Sequence, residues 1–360
     1  MAGKIRVAIA GVGNCASALV QGVFYYKDAK DDDKIPGLMH VKFGDYHIRD
    51  IEFVAAFDVD SRKVGKDLSE AIFAGNNSVP KFTDVPRLGV KVFPGPIMDG
   101  VAPHMTKAFS PYDTNDTDPV NVADVLREVD ADVLINFLPV GSYHATRYYA
   151  QAALDAKTAF LNAIPEFIAS DPEWAKKFED RGVPVAGDDI KSQLGATILH
   201  RTLVQLMLDR GIKPRKTYQL NIGGNTDFLN MTVEDRLKFK RISKTEAVTS
   251  LVSHDIPTRI GPSDYVPFLG DTKIAYIYLE GEKFGGFPVI IEAKLVVTDS
   301  PNSAGVVIDV VRALKIALDR GIAGPLISVS AYAFKHPPKQ VPDYIAKEWV
   351  EEFIRGKRER

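Results

Sequence analysis

Short apolar runs alternate with amphipathic stretches through the first half of the chain. Val7, Ala8 and Ile9 form an apolar strand that runs into Gly11 and Gly13 and then into a helical pattern. Residues 51–57, Ile-Glu-Phe-Val-Ala-Ala-Phe, predict a second buried strand that ends at Asp58. Val90–Phe93, Asp132–Leu138, Thr158–Ala163 and Val183–Ala186 read as further strands. Helices are predicted between them over 119–129, opened by Pro119, and over 144–156. A third runs to Arg181, with Ser170-Asp171-Pro172-Glu173 as a capping-box start and Gly182 as its stop. Strand and helix alternate to about residue 190, which predicts an α/β fold built on a doubly wound parallel sheet.

The pattern then changes. A helix is expected from Gly195 to Arg210, with Ile198, Leu199, Leu203 and Leu206 on one apolar face and Gly211 as the stop. Thr217–Ile222, Lys273–Glu280 and Pro288–Val297 have strand character, and the last two flank a Gly-rich turn from Gly281 to Gly286 that predicts a hairpin. These elements predict a second, mostly antiparallel domain. Val307, Val310, Val311, Leu314 and Leu318 then fall at helical spacing in a helix from Ser303 to Arg320.

Composition narrows the class. A chain of 360 residues exceeds one ordinary core, and 45% hydrophobic with 26% charged residues is globular. A formal net charge of −2 argues against nucleic-acid or membrane-surface binding, because neither sign dominates. Arg355, Lys357, Arg358 and Arg360 are expected to form a frayed, solvated helix end. The single cysteine, Cys15, excludes an internal disulfide framework and fits a reducing compartment. No signal peptide and no membrane-length apolar run is visible, so a cytoplasmic location is expected.

Candidate chemistry concentrates in a few segments. Glycines at 11 and 13, between a strand and a helix, let the backbone approach a pyrophosphate at the helix N-terminus, which points to a dinucleotide. Asp58 stands where such a unit holds a ribose, although residues 22–50, with Asp31, Asp32 and Asp33, lengthen the connection. Pro139-Val140-Gly141-Ser142 follows a strand end and is expected on the nicotinamide side. Residues 187–197, Gly-Asp-Asp-Ile-Lys-Ser-Gln-Leu-Gly-Ala-Thr, suit either a phosphate site or a plain helix start capped by Ser192. The amide-rich stretch Asn221–Asn230 suits turns or a polyol. Lys240 and Lys244 share a face if their segment is helical. There is no His-Glu-x-x-His, no cysteine pair and no Gly-x-Ser-x-Gly elbow.

Taken together and in order, these motifs resemble the myo-inositol-1-phosphate synthase family in its short bacterial and archaeal branch. The resembling segments are 11–17, 36–40, 56–60, 138–142, 187–197, 222–230, 242–245 and 299–305, spread over nearly the whole chain. The resemblance implies conversion of D-glucose 6-phosphate to 1L-myo-inositol 1-phosphate. Its steps are C5 oxidation by NAD, enolisation, intramolecular aldol closure and re-reduction, with no net redox. It implies catalytic roles for Lys240, Lys244, Lys273, Lys335 and Asp189. It places the cofactor against Gly11, Gly13, Asn14, Cys15, Ala16, Asp58, Pro139, Gly141, Ser142, Asp188 and Ser303. Lys191, Ser192, Thr197, Asn225 and Asp227 are the expected substrate ligands. Family members differ in needing a divalent cation, for which Asp188 and Asp189 are the candidate ligands. The resemblance also implies an NAD-binding domain over 1–200, completed by 301–360, and a catalytic and tetramerisation domain over 201–300 in a homotetramer. Two rivals remain at this stage. A sugar or polyol dehydrogenase would release NADH, and a non-catalytic sensor of NAD and sugar phosphate would have no use for four lysines.

Overall fold

A computed structural model describes residues 3–360. The chain begins with β1 (Ile5–Ala10) and α1 (Asn14–Tyr26), then a small hairpin of β2 (Lys42–Phe43) and β3 (Tyr46–His47). There follow β4 (Ile51–Asp58), α2 (Leu68–Ala71), β5 (Val92–Pro94), α3 (Val122–Glu128) and β6 (Val133–Asn136). Next are α4 (Tyr143–Ala156), β7 (Ala159–Asn162), α5 (Pro172–Arg181) and β8 (Pro184–Ala186). The second stretch holds α6 (Ala196–Asp209), β9 (Lys213–Gly223), α7 (Thr226–Asn230), α8 (Lys238–Thr249), β10 (Thr258–Tyr265), β11 (Thr272–Glu282) and β12 (Pro288–Thr298). The chain closes with α9 (Asp299–Asp319), β13 (Gly324–Pro325), α10 (Ile327–Ala333) and α11 (Asp343–Ile354).

Seven parallel strands form one sheet in the order β13-β8-β7-β6-β1-β4-β5. The order reverses between β1 and β6, and the crevice outside the carboxyl ends of these strands is where such a sheet takes its ligands. A separate sheet has the order β10-β9-β11-β12. It is mixed, because β10 runs parallel to β9 while β11 is antiparallel to both β9 and β12. Tyr218, Leu220, Tyr276, Ile290 and Val296 are exposed on this second sheet. The strand β13 and helix α9 return to the first sheet, where α9 packs along α1 and beneath β7 and β8.

The parallel sheet follows the predicted alternation closely; the differences lie at caps and faces. The helix expected from Pro119 starts at Val122, because the Asn121 side chain accepts the N–H groups of Ala123 and Asp124. Asp171, not Ser170, caps α5 by accepting from Glu173 and Trp174, while the Ser170 hydroxyl turns inward to Asp188. In α6 the buried residues are Ala196, Thr197, His200, Arg201, Val204 and Met207, and Leu206 is exposed, so the expected apolar face is not the buried one. That helix packs polar groups into the seam between the two sheets, a choice periodicity does not register. Two of the four C-terminal cations are docked, Arg358 pairing with Glu352 over the Trp349 ring and Arg360 with Glu179, while Arg355 and Lys357 are exposed as expected.

Residues 27–50 wrap the outer side of α9. The Met39 N–H donates to Asp309 (3.0 Å), His40 pairs with Glu351 (2.7 Å), and buried Arg312 donates to the Val41 carbonyl (2.7 Å). The Gly37 backbone lies directly on Gly305, where a Cβ would stand 2.0 Å from the Gly37 carbonyl oxygen. Gly305→Ala is therefore expected to destabilise the protein by about 1–3 kcal/mol, as overpacking does. The check is the urea or thermal unfolding midpoint, and an unchanged midpoint would show that the loop is not held against α9.

Candidate active site

A deep cleft lies beyond the carboxyl ends of β1, β4 and β6 and is closed from the other side by α7, α8 and the start of α9. Gly11 (φ +92°) presses so near β6 that a Cβ would sit 2.8 Å from the Phe137 carbonyl oxygen. Gly13 stands at the N-cap of α1 with no side-chain cap, and a Cβ there would meet open space. The first-turn N–H groups are left for an anion, and Asn14 and Cys15 line the cleft beside them. Asp58, at the end of β4, lines the same cleft and accepts the Val12 N–H at 2.7 Å. A tight glycine turn, an uncapped helix start and an acid on the neighbouring strand are the donor set a dinucleotide needs, so these residues fit NAD.

Opposite this turn, four lysines converge. Lys240 and Lys244 lie one turn apart on α8, Lys273 starts β11, and Lys335 follows α10. Three are ion-paired: Lys240 to Asp227 (2.7 Å), Lys335 to Asp189 (2.7 Å) and Lys273 to Asp299 (3.2 Å). Lys244 is buried with no carboxylate in ion-pair contact among the described residues. Burial, then the charges of Lys240, Lys273 and Lys335, push its ammonium well below the ordinary lysine range. Burial also acts on Lys240, yet Asp227 and Asp189 outweigh it and hold that ammonium above the usual value. Lys335 is lowered by burial, against the pull of Asp189. Asp189 resists burial because Lys335 and Lys240 face it, and its carboxyl is held low. The Ser243 hydroxyl donates to its second oxygen.

Main-chain pairing brings Lys335 to Asp189. The Lys335 N–H donates to the Asp189 carbonyl (2.8 Å), the His336 N–H to the Asp188 carbonyl (3.0 Å) and the Lys191 N–H to the Ala333 carbonyl (2.8 Å). The loop after β8 and the chain after α10 thus run side by side at the floor of the cleft.

Of the expected cofactor residues, Gly11, Gly13, Asn14, Cys15, Asp58, Pro139 and Ser303 line the cleft. Ala16, Gly141 and Ser142 are not among its lining residues. Asp188 faces the other way: its buried carboxylate accepts Asn162 (2.7 Å), the Ile168, Ala169 and Ser170 N–H groups and the Ser170 hydroxyl (2.7 Å). Among the expected substrate ligands, Ser192, Asn225 and Asp227 line the cleft, and Asn225 also caps α7. Lys191 and Thr197 do not. The Lys191 ammonium is drawn to Asp343 and the Ala331 carbonyl (both 2.9 Å), and Arg201 holds the same carboxylate at 2.8 Å. Burial brings Lys191 down to about 8 despite Asp343. It ties the loop after β8 to α10 and α11 rather than reaching the cleft.

The candidate carboxylates for a divalent cation do not fit one. The Asp188 oxygens are taken by five donors and those of Asp189 by Lys335 and Ser243. Sequence reasoning missed Asp299, the partner of Lys273, and Ser243, although both stand in quoted motifs. It also missed the apolar roof of Met98, Met105 and Phe109, which carries no motif.

Fold and site together define a Rossmann-type dinucleotide enzyme with a lysine–carboxylate centre where its two units meet. The family model described as myo-inositol-1-phosphate synthase matches residues 195–300. Inositol-3-phosphate synthase of Mycolicibacterium smegmatis is 57% identical, covering 99% of each chain. That of Corynebacterium glutamicum is 56% identical over 97% of this chain and 98% of its own. A myo-inositol-1-phosphate synthase-related protein from Thermotoga maritima superposes with a TM-score of 0.80 at 26% identity, covering 99% of this chain and all of its own. Inositol-3-phosphate synthase of Caenorhabditis elegans shares the fold, with a TM-score of 0.79 at 16% identity over 98% of this chain and 86% of its own. The chain belongs to the inositol-3-phosphate synthase family and is an enzyme of that family.

The surroundings of Cys15 disfavour its thiolate. Burial, then Asp299, Asp271 and Asp227, push the thiol up to about 12. Iodoacetamide at about pH 8 should alkylate it roughly a thousandfold more slowly than an unperturbed thiol. Intact mass against time measures this, and labelling at the free-thiol rate would mean that these carboxylates do not face Cys15.

Proposed function

We propose that the enzyme converts D-glucose 6-phosphate to 1L-myo-inositol 1-phosphate by an NAD-dependent cycle with no net redox. The convergence of four lysines and three carboxylates on one cleft wall, opposite a dinucleotide turn, carries this reading. Bound NAD would supply the acceptor, and later the donor, of one hydride at C5 of the open-chain sugar. The chain's own groups handle protons and charge. Lys244, whose charged form burial and three cations disfavour, is the group to accept the proton of the C5 hydroxyl. Oxidation at C5 acidifies the C6 protons, and the enolate then closes on the C1 aldehyde. Every stage gathers negative charge on oxygen. Lys240, kept charged by Asp227 and Asp189, stabilises such oxygens, with Lys273 and Lys335 beside it. Ser192, near the uncapped start of α6, is the protein group for the substrate phosphate. Asn225 and Asp227 are placed to meet sugar hydroxyls. The two lysines on α8 move together, because one helical turn fixes their separation.

The deciding experiment incubates the purified protein with glucose 6-phosphate and NAD⁺ and follows phosphorus NMR and reduced-nicotinamide absorbance together. Inositol phosphate without accumulating NADH is expected. Stoichiometric NADH would make the enzyme a dehydrogenase instead. Lys240→Ala and Lys335→Ala should each lower kcat by about a hundredfold or more, and full turnover in both would overturn the site assignment.

We also infer a homotetramer. Tyr218, Leu220, Tyr276 and Val296 form an exposed apolar patch on one face of the mixed sheet, and the edge strand β12 leaves its outer main-chain groups free. Tyr276→Glu with Val296→Glu should shift the protein to a smaller species in light scattering after size exclusion, and an unchanged mass would remove this face from the interface.

A further inference from the structure

Residues 95–112 form a flap over the cleft. Met98, Met105 and Phe109 face the cleft, while Ala102, Met105 and Ala108 pack with Phe109 against Leu229 of α7. The flap is pinned to the parallel-sheet unit by Asp99, whose carboxylate accepts the His144 and Ala145 N–H groups at the start of α4 (2.7 and 2.9 Å). The adjacent loop 138–142 supplies Pro139 and Val140 to the cleft wall.

Both the flap and this loop are gripped from the mixed-sheet unit by one side chain. The Arg236 Nε donates to the Val140 carbonyl (3.0 Å), and its Nη1 donates to the Asp99 carbonyl (3.0 Å). Asn230 Nδ2 donates to the same Val140 carbonyl (2.8 Å). Gly141 (φ +84°) lets the stem of Arg236 lie flat on the loop, since a Cβ there would come within 3.0 Å of it. Lysine has a single ammonium on a flexible stem, whereas the guanidinium fork spans two carbonyls at fixed separation. Arg236 stands just ahead of α8, the helix that carries Lys240 and Lys244. Three buried polar atoms at this seam have no partner: Arg236 Nη2, Asn230 Oδ1 and Glu166 Oε2.

We propose that Arg236, assisted by Asn230, is a positioning residue that locks the 138–142 loop and the 95–112 flap to the lysine-bearing helix. The reacting carbon, the nicotinamide side of the cleft and the proton-handling lysine then keep one geometry, and the flap stays shut while the cofactor is in its reduced form. This rests on the NAD-dependent cycle argued above.

The test uses the full-length protein. NAD⁺ binding is titrated by calorimetry, and turnover is followed as inositol phosphate formed together with NADH lost to solution. Arg236→Ala should lower kcat about tenfold to a hundredfold, the scale of a small misplacement. It should also raise the NADH escaping per product formed, with the KM for glucose 6-phosphate little changed. Added guanidinium should restore much of the lost kcat, and Arg236→Lys should not. Asn230→Ala should have a smaller effect, and the double variant should lose less than the product of the single losses, because both donors serve one carbonyl. A folded Arg236→Ala protein with wild-type kcat and no NADH escape would overturn the proposal. So would a loss that tracks a lowered melting temperature and is not rescued by guanidinium. Wild-type protein that fails to bind NAD⁺ would sink the underlying cycle together with the clasp, which separates that failure from unchanged behaviour in the variant alone.

Discussion

The structure turns on keeping four lysine side chains close together at the edge of a buried cleft. Like charges at such distances repel, and burial strips their hydration, so the arrangement holds only where carboxylates neutralise most of it. Asp227, Asp189 and Asp299 do this for Lys240, Lys335 and Lys273. Lys244 is left over, and its ammonium is the one that the local field disfavours most. A single imbalance of charge thus separates two kinds of lysine. Three are matched by a carboxylate, and one is not.

That balance requires distant segments to meet. Asp189 follows β8, Lys335 follows α10, and main-chain bonds between the two strips set their register. Behind them, Asp343 of α11 is held by both Lys191 and Arg201, so the C-terminal helix braces the loop that carries Asp189 and Ser192. Asp188 does similar work on the far side by gathering three N–H groups of the 168–170 turn. Neighbouring acids in one motif have divided their tasks, one facing the cleft and one building its wall. The lysine centre takes Lys240, Lys244 and Lys273 from the mixed-sheet unit and Lys335 with Asp189 from the parallel-sheet unit, so the cleft exists only while the two units are held together. The contacts of Arg236 and Asn230 with the 138–142 loop span that seam.

Much of this was legible in the residues. The strands and helices of the parallel sheet, the glycine turn, Asp58 and the hairpin of β11 and β12 follow from periodicity and turn chemistry, which are local. The motifs in chain order pointed to the family, and the pairing of Lys240 with Lys244 on one helical face needs only the helical repeat. Lys191 and Thr197 were placed on the substrate from their position in a motif. A motif states which residues are near in sequence, not which way a buried side chain turns. The buried face of α6 was misread for a related reason: the seam takes His200 and Arg201, polar groups satisfied by partners far along the chain.

The sequence by itself determined the class of fold and the place of the glycine turn, because each depends on spacing within a few residues; the four lysines came only with the resemblance of the ordered motifs to the family. Tertiary structure alone decided which lysine lacks a carboxylate, that Asp188 and Lys191 brace the site instead of lining it, and that Arg236 bridges the two units. Those outcomes depend on distances between side chains as far as 152 positions apart, as Lys191 and Asp343 are. Coulomb energy, desolvation and hydrogen-bond direction are functions of that separation in space, and no local pattern encodes it.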